Sequence, residues 1–313
     1  MPASHLRIEA NGITHHVVTE GEGPLVLLVH GFPELWYSWR HQLEPLAAAG
    51  FRAAAIDVRG YGETDAPAAV ESYAMRALCA DVAALVGALG EEKAVIVGHD
   101  WGAVIARNAV LLHPERFRAV ASLSIPFLPR PPAPPLAILR KRFEGQFFYQ
   151  LYFQEPGVAE RELEADVRRS LRCMYYEASG DCPRPGAGFI GGPPRERLLD
   201  AMTDPNPFPS WLTDEDLDVF VRAFTRSGFR GPLDRYRNQD RDWEDLAELA
   251  GRRIEVPALF IGGDRDLTLA YGIDGMKNVA PDLRDVVILP GAGHWTQQER
   301  PRETTEALLR FLR

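Results

Sequence analysis

The sequence predicts an α/β fold: a mostly parallel central sheet with helices on both faces and a helical cap inserted before the last strands. Three observations carry this. Apolar runs of strand length, such as Leu25-Val26-Leu27-Leu28-Val29 and Ala94-Val95-Ile96-Val97, mark strands buried on both faces. They alternate with helix-length segments, the pattern of βαβ units. The pattern stops after residue 124, gives way to a proline-rich exit and a helical stretch, and resumes at Ala258-Leu259-Phe260-Ile261.

In chain order, residues 5–10 and 13–19 flank Asn11-Gly12, a dipeptide that suits a two-residue hairpin turn. Residues 25–29 form a buried strand leading into His30-Gly31-Phe32-Pro33-Glu34, residues 39–49 a helix, and residues 51–57 another buried strand. A glycine-punctuated loop follows. Residues 73–89 form the helix that delivers the chain to the strand 94–97, which runs directly into a helix rich in Ala and Leu starting near Ala103. Residues 117–124 give a further strand. Residues 125–136 hold six prolines, too many for a helix or a central strand. Within the following helical region, residues 213–226 pair a capping-box spacing, Thr213 and Asp216, with an apolar face of Leu217, Phe220, Val221 and Phe224. Val286-Val287-Ile288-Leu289 is the last strand, and residues 302–312 place Ala307, Leu308 and Phe311 on the core side of a final helix. Residues 1–126 and 241–313 thus form one core domain, and residues 127–240 a helical cap.

With 46% hydrophobic and 25% charged residues over 313 positions, the composition is that of a globular protein able to bury a large core. A net charge of −9 argues against nucleic acid or an anionic membrane as partner. Arg140-Lys141-Arg142 reads as the solvated face of a helix. No apolar run reaches the roughly 20 residues of a membrane span, and Met1-Pro2-Ala3-Ser4-His5 lacks the features of a secretory leader. The expected location is the cytoplasm. Cys79, Cys173 and Cys182 form no disulfide framework, and neither they nor the eight histidines show metal-ligand spacing. No phosphate-binding glycine loop is present. The expectation is no cofactor and no metal.

The chemistry gathers at Gly98-His99-Asp100-Trp101-Gly102, where a buried strand turns sharply into a buried helix. Gly-x-nucleophile-x-Gly at such a junction is the pattern of a nucleophile elbow, here with aspartate in place of serine. By itself this turn reads equally well as a structural one with a capping Asp. As a nucleophile, aspartate suits attack on an sp3 carbon: the product is an alkyl ester that water can cleave at the aspartate's own carbonyl, whereas serine would leave an inert ether. An elbow of this kind in an α/β-hydrolase sheet is followed by an acid and then a histidine. Asp266, in Gly262-Gly263-Asp264-Arg265-Asp266, and His294, in Gly291-Ala292-Gly293-His294-Trp295, follow in that order after predicted strands. Asp264 is the rival acid. The backbone N–H groups of Phe32 and Trp101 are the expected oxyanion donors, with His30 holding the Phe32 loop.

Three motifs, His30-Gly31-Phe32-Pro33-Glu34, Gly98-His99-Asp100-Trp101-Gly102 and Gly293-His294-Trp295-Thr296-Gln297, resemble those of the α/β-hydrolase-fold epoxide hydrolases. In the cap, the segment from Phe148 to Glu160 and the segment from Gly228 to Asn238 resemble cap motifs of the soluble epoxide hydrolases. The resemblance covers nearly the whole chain. It implies that Tyr149 and Tyr236 hold the epoxide oxygen, a role in keeping with their chemistry, because a phenol of pKa near ~10 is a suitable acid toward a developing alkoxide. Tyr152, one helical turn from Tyr149, is the residue to be confused with it; Tyr175, Tyr176 and Tyr271 read as packing. Trp36, Trp101 and Trp295, with Tyr152, are expected to wall an apolar substrate pocket. The implied reaction is hydrolysis of a lipophilic epoxide to a vicinal diol through a covalent Asp100 ester, by a monomer or homodimer. The competing readings are a haloalkane or haloacid dehalogenase, which has no use for the two tyrosines, and a ligand-binding protein on the same fold.

Overall fold

The computed structural model describes residues 3–313. Eight strands, β1 (Ser4–Ala10), β2 (Ile13–Glu20), β3 (Leu25–Val29), β4 (Arg52–Ile56), β5 (Ala94–His99), β6 (Phe117–Leu123), β7 (Ala258–Gly263) and β8 (Leu283–Leu289), form one sheet in the order β1-β2-β4-β3-β5-β6-β7-β8. β2 runs antiparallel to β1 and β4, and the other neighbours are parallel. The β1–β2 turn is the expected one: Ala10 pairs with Ile13, and Asn11 and Gly12 both have positive φ, as a type I′ turn requires.

Helices α1 (Arg40–Ala48), α2 (Met75–Ala88) and α3 (Trp101–Leu112) connect the first parallel strands, and α11 (Met276–Val279), α12 (Thr296–Glu299) and α13 (Pro301–Leu312) complete the layers after β7. Period-two alternation splits β3 between two cores: Leu25, Leu27 and Val29 pack on one face with α2 and α3, while Val26 and Leu28 pack on the other with Leu43, Leu46 and Leu308. Burial on both faces is the physical reason the strand runs are continuously apolar.

Between β6 and β7 lie α4 (Pro135–Arg142), α5 (Tyr149–Tyr152), α6 (Val158–Ala165), α7 (Val167–Ala178), α8 (Asp214–Ser227), α9 (Arg230–Arg237) and α10 (Gln239–Asp245). Thr213 and Asp216 make the reciprocal capping bonds of α8, whose Leu217, Phe220 and Phe224 are buried. Some boundaries move. The proline-rich stretch ends earlier than residue 136, because Pro135 starts α4 at the first helical position, where a missing N–H costs nothing. The helix expected over 39–49 begins as a 3-10 turn at Trp36–Trp39. β8 starts at Leu283, earlier than the run 286–289; Val286 is 37% exposed on this edge strand, so the apolar pattern there is interrupted. Residue 240 falls inside α10.

The three cysteines are buried free thiols. His15 and His16, on opposite faces of β2, approach different acids, Asp81 at 3.9 Å and Asp57 at 2.7 Å. Among the described residues no helix is long and apolar enough to cross a membrane.

Candidate active site

Asp100 caps α3 directly after β5 with φ 53° and ψ −119°, a conformation that costs a non-glycine residue about 1–3 kcal/mol. The flanking glycines make the turn possible. A Cβ on Gly98 would stand 2.1 Å from the Gly102 carbonyl oxygen, and one on Gly102 would stand 2.0 Å from that of Val29. The strain turns the Asp100 side chain away from the sheet, where its Oδ1 accepts the Phe32 backbone N–H at 2.9 Å. Oδ2 lies 3.5 Å from His294 Nε2. Trp101 opens α3, so its backbone N–H has no partner within the helix.

His294 stands in the loop after β8, its N–H bonded to the Ala178 carbonyl and its carbonyl accepting from Ser124 Oγ at 2.7 Å. Its Nδ1 is 3.1 and 3.2 Å from the Asp266 oxygens. Asp266 is 5% exposed and also accepts the Thr268 N–H. Burial alone would lower the His294 pKa, but the carboxylates of Asp266 and Asp100 outweigh it and raise the imidazole well above its usual range. Burial likewise opposes, and His294 reverses, the shift of Asp266, which ends below the ordinary carboxylate value. Asp264, the rival acid, instead accepts the Gly291 N–H in an exposed turn at 2.7 Å.

Behind these groups runs a buried network. The Glu34 and His99 side chains are fully buried, with 2.6 Å between Glu34 Oε2 and His99 Nδ1. Glu34 also accepts from the Gly31 N–H and from Gln297, while His99 Nε2 donates to the His294 carbonyl. One carboxylate thus ties the Phe32 loop, the end of β5 and the histidine loop together. Burial pushes the Glu34 pKa up, but the charge and hydrogen bond of His99 bring it down to about 2. A depressed acid contributes stability that is present above its unfolded pKa of 4.5 and lost as pH falls toward the folded value. Glu34→Ala removes one partner of a buried pair and is expected to cost about 3–5 kcal/mol, measured by urea unfolding at neutral pH. A loss below about 1 kcal/mol would return the pair to the range of a surface contact. His30, as expected, braces the loop, with Nδ1 donating to the Gly31 carbonyl and Nε2 accepting the Val58 N–H at 3.0 Å.

Tyr149, first residue of α5, and Tyr236, in α9, bring their rings to 5.9 Å between centroids. Both line a cavity of about 190 Å³ together with Asp100, His294, Phe32 and Trp101. Burial raises both phenols well above their ordinary pKa, so they stay protonated through neutral pH. Gln150 Nε2 donates to the Tyr149 oxygen at 2.8 Å, leaving the phenol proton free to point elsewhere.

Several expected pocket residues are placed differently. Tyr152 is not on the cavity wall: its hydroxyl is drawn to the buried Glu162 at 2.7 Å, which also accepts the Leu198 and Leu199 N–H groups. Trp36 is also off the wall. Its backbone N–H is held by Asp57, and its ring packs edge-on against His5, His16 and Tyr37 on the hairpin side. Trp295 does line the cavity, although it is 2% exposed and its indole N–H is on the Tyr175 carbonyl. Tyr271, read from sequence as packing, is 45% exposed and stands on the cavity wall with Phe189 and Leu267. Nothing in its local sequence signals this, because the loops that carry these residues follow separate elements. Tyr175 is buried and donates to the Pro33 carbonyl at 2.8 Å, steadying the Phe32 loop from the inserted region.

A family model described as alpha/beta hydrolase fold matches residues 24–301. The chain is 47% identical over 308 residues to epoxide hydrolase A of Mycobacterium tuberculosis, covering 97% of this chain and 96% of that protein. It is 41% identical to bifunctional epoxide hydrolase 2 of Sus scrofa, where the match takes in 96% of this chain and 53% of the longer protein. Among solved structures, an epoxide hydrolase from an endophytic Streptomyces superimposes with a TM-score of 0.96 at 49% identity, covering 99% of this chain and 95% of the other. Strand order, elbow and these relatives lead to one assignment: the chain belongs to the epoxide hydrolases of the α/β-hydrolase fold.

Proposed function

We propose that this epoxide hydrolase works in two covalent steps, with Asp100 as nucleophile, Tyr149 and Tyr236 as the acid, and His294 oriented by Asp266 as the base. The observation that carries the reading is that one cavity presents the Asp100 carboxylate, His294 and both phenols. Oδ2, the oxygen not held by Phe32, attacks an epoxide carbon; the carbon–oxygen bond on that carbon breaks as a phenol passes its proton to the departing oxygen. Alkylation removes the Asp100 charge, one of the two that favour the imidazolium, so once the ester exists His294 releases its extra proton to solvent and stands ready as a neutral base. It takes a proton from water, whose oxygen adds to the Asp100 carboxyl carbon. The oxyanion forms at the oxygen that accepts the Phe32 N–H, with the unpaired N–H of Trp101 at the start of α3 as the second donor in this reading. Collapse expels the alkoxide, which takes the proton from His294, and the regenerated Asp100 acid gives its proton back to the tyrosinate.

Residues 127–240 act as the cap in this reading, contributing both tyrosines and closing the cavity over the elbow. The apolar, aromatic lining suits lipophilic epoxides. A single turnover in ¹⁸O-water tests the covalent step. The diol should carry oxygen from the enzyme, and label should appear in the Asp100 peptide. Label passing straight into the diol would rule the ester out.

A further inference from the structure

Behind Trp101 lies a second cavity of about 470 Å³, larger than the one that holds Asp100. Trp101 and Val104 are walls of both. The second cavity collects four arginines, Arg107, Arg130, Arg252 and Arg253, in a chain whose net charge is −9. Its one acid, Asp242, is already engaged by the Arg235 guanidinium and the Met75 N–H. Arg253 has Glu255 at 3.6 Å, but among the described residues Arg107, Arg130 and Arg252 have no carboxylate within 4.0 Å.

Two of these cations are set into the wall. Arg107, on α3, donates to the Leu128 carbonyl at 2.9 Å, and burial lowers its pKa to about 10, so it remains charged at neutral pH. Arg130 lies 3.9 Å over the Trp243 ring and donates to the Trp243 carbonyl, while its Nε is buried with no partner. Desolvated guanidinium groups without a counter-charge are costly unless something anionic completes them. Around them the wall is apolar, formed by Met75, Leu111 and Leu246.

We propose that the second cavity is a binding site for an alkyl chain bearing a carboxylate, with Arg107 and Arg130 taking the carboxylate and the apolar wall taking the chain. Guanidinium forks match carboxylate geometry, and stacking on Trp243 holds Arg130 in place at the cavity wall. The site is independent of the roles given to Asp100 and His294. Because Trp101 separates it from the epoxide cavity, the carboxylate belongs either to a separate ligand or to the far end of a long substrate.

Calorimetric titration with octanoate and with 1-octanol tests the proposal without turnover. A charge-assisted bond to carboxylate is worth about 1.5–3 kcal/mol, so octanoate should bind at least about ten-fold more tightly than the alcohol. Arg107→Met and Arg130→Met should each remove that preference. Arg130 sits on the connection after β6, not inside a core helix, so its variant keeps the test open if Arg107→Met fails to fold. Equal binding of acid and alcohol by the unaltered protein overturns the site, as does an acid preference that survives in folded Arg130→Met. Turnover of styrene oxide with octanoate bound then assigns the source: an unchanged KM marks a separate ligand, and a raised KM a chain that passes Trp101 as a substrate would.

Discussion

His294→Gln is expected to stop the enzyme after one chemical event per molecule. Ring opening needs the Asp100 carboxylate and the phenols, all left in place, whereas ester hydrolysis needs a base that glutamine cannot supply. Steady turnover should fall by about 10²–10⁴, the usual worth of a positioned general base. Intact-protein mass spectrometry should show a substrate-sized adduct on Asp100. Acid should reproduce part of this in the unaltered enzyme. A base works only when neutral, and in the ester Asp266 still favours the imidazolium against the burial that disfavours it. Hydrolysis is therefore lost as pH falls through the His294 pKa in the ester, and the ester should build up on the acid side while alkylation continues. A folded His294→Gln protein that forms no adduct and still turns over would remove His294 from the base role.

The second large effect is expected at the cap tyrosines. In the proposed mechanism two donors from different helices meet the developing charge on the epoxide oxygen, and losing one donor of this kind costs about 10²–10³ in rate. Tyr149→Phe and Tyr236→Phe should each slow alkylation by that order. The double variant should lose more than the product of the two single losses, because in each single variant the remaining phenol reorients to cover for the missing one. Stopped-flow quenching of tryptophan fluorescence follows alkylation by itself, and ester hydrolysis should be nearly unchanged. Both phenols have pKa values pushed up by burial, so activity should not fall through tyrosine ionisation below about pH 10. A double variant with an unimpaired alkylation rate would make the pair packing residues.

Much of the fold is legible in the sequence because it rests on periodicity. Strands buried on both faces must be apolar throughout, as 25–29 and 94–97 are, and a capped helix such as α8 carries its own start signal in Thr213 and Asp216. Boundaries were less legible where neighbours override local preference, as at the exposed edge of β8 and at Pro135. For the site, the elbow shows in local spacing because Gly98 and Gly102 are demanded by backbone contacts of 2.1 and 2.0 Å. Chain order also picked out Asp266 and His294, which the fold brings to 3.1 Å.

Pocket walls are another matter, since they are assembled from loops distant in sequence. Whether a tyrosine faces the cavity depends on what competes for its hydroxyl: Glu162 draws Tyr152 away, while the exposed Tyr271 is left on the wall. Glu34 and His99 looked like parts of motifs, and only their burial together reveals a brace beneath three loops. The sequence by itself determined the sheet, the elbow and the order of the reacting groups, because each is written in local spacing or burial periodicity. The tertiary structure alone decided which aromatic side chains line the cavity, and that a second, arginine-lined cavity backs onto Trp101. Those depend on contacts between residues far apart in the chain, such as Phe32 and Tyr236, which no local pattern encodes.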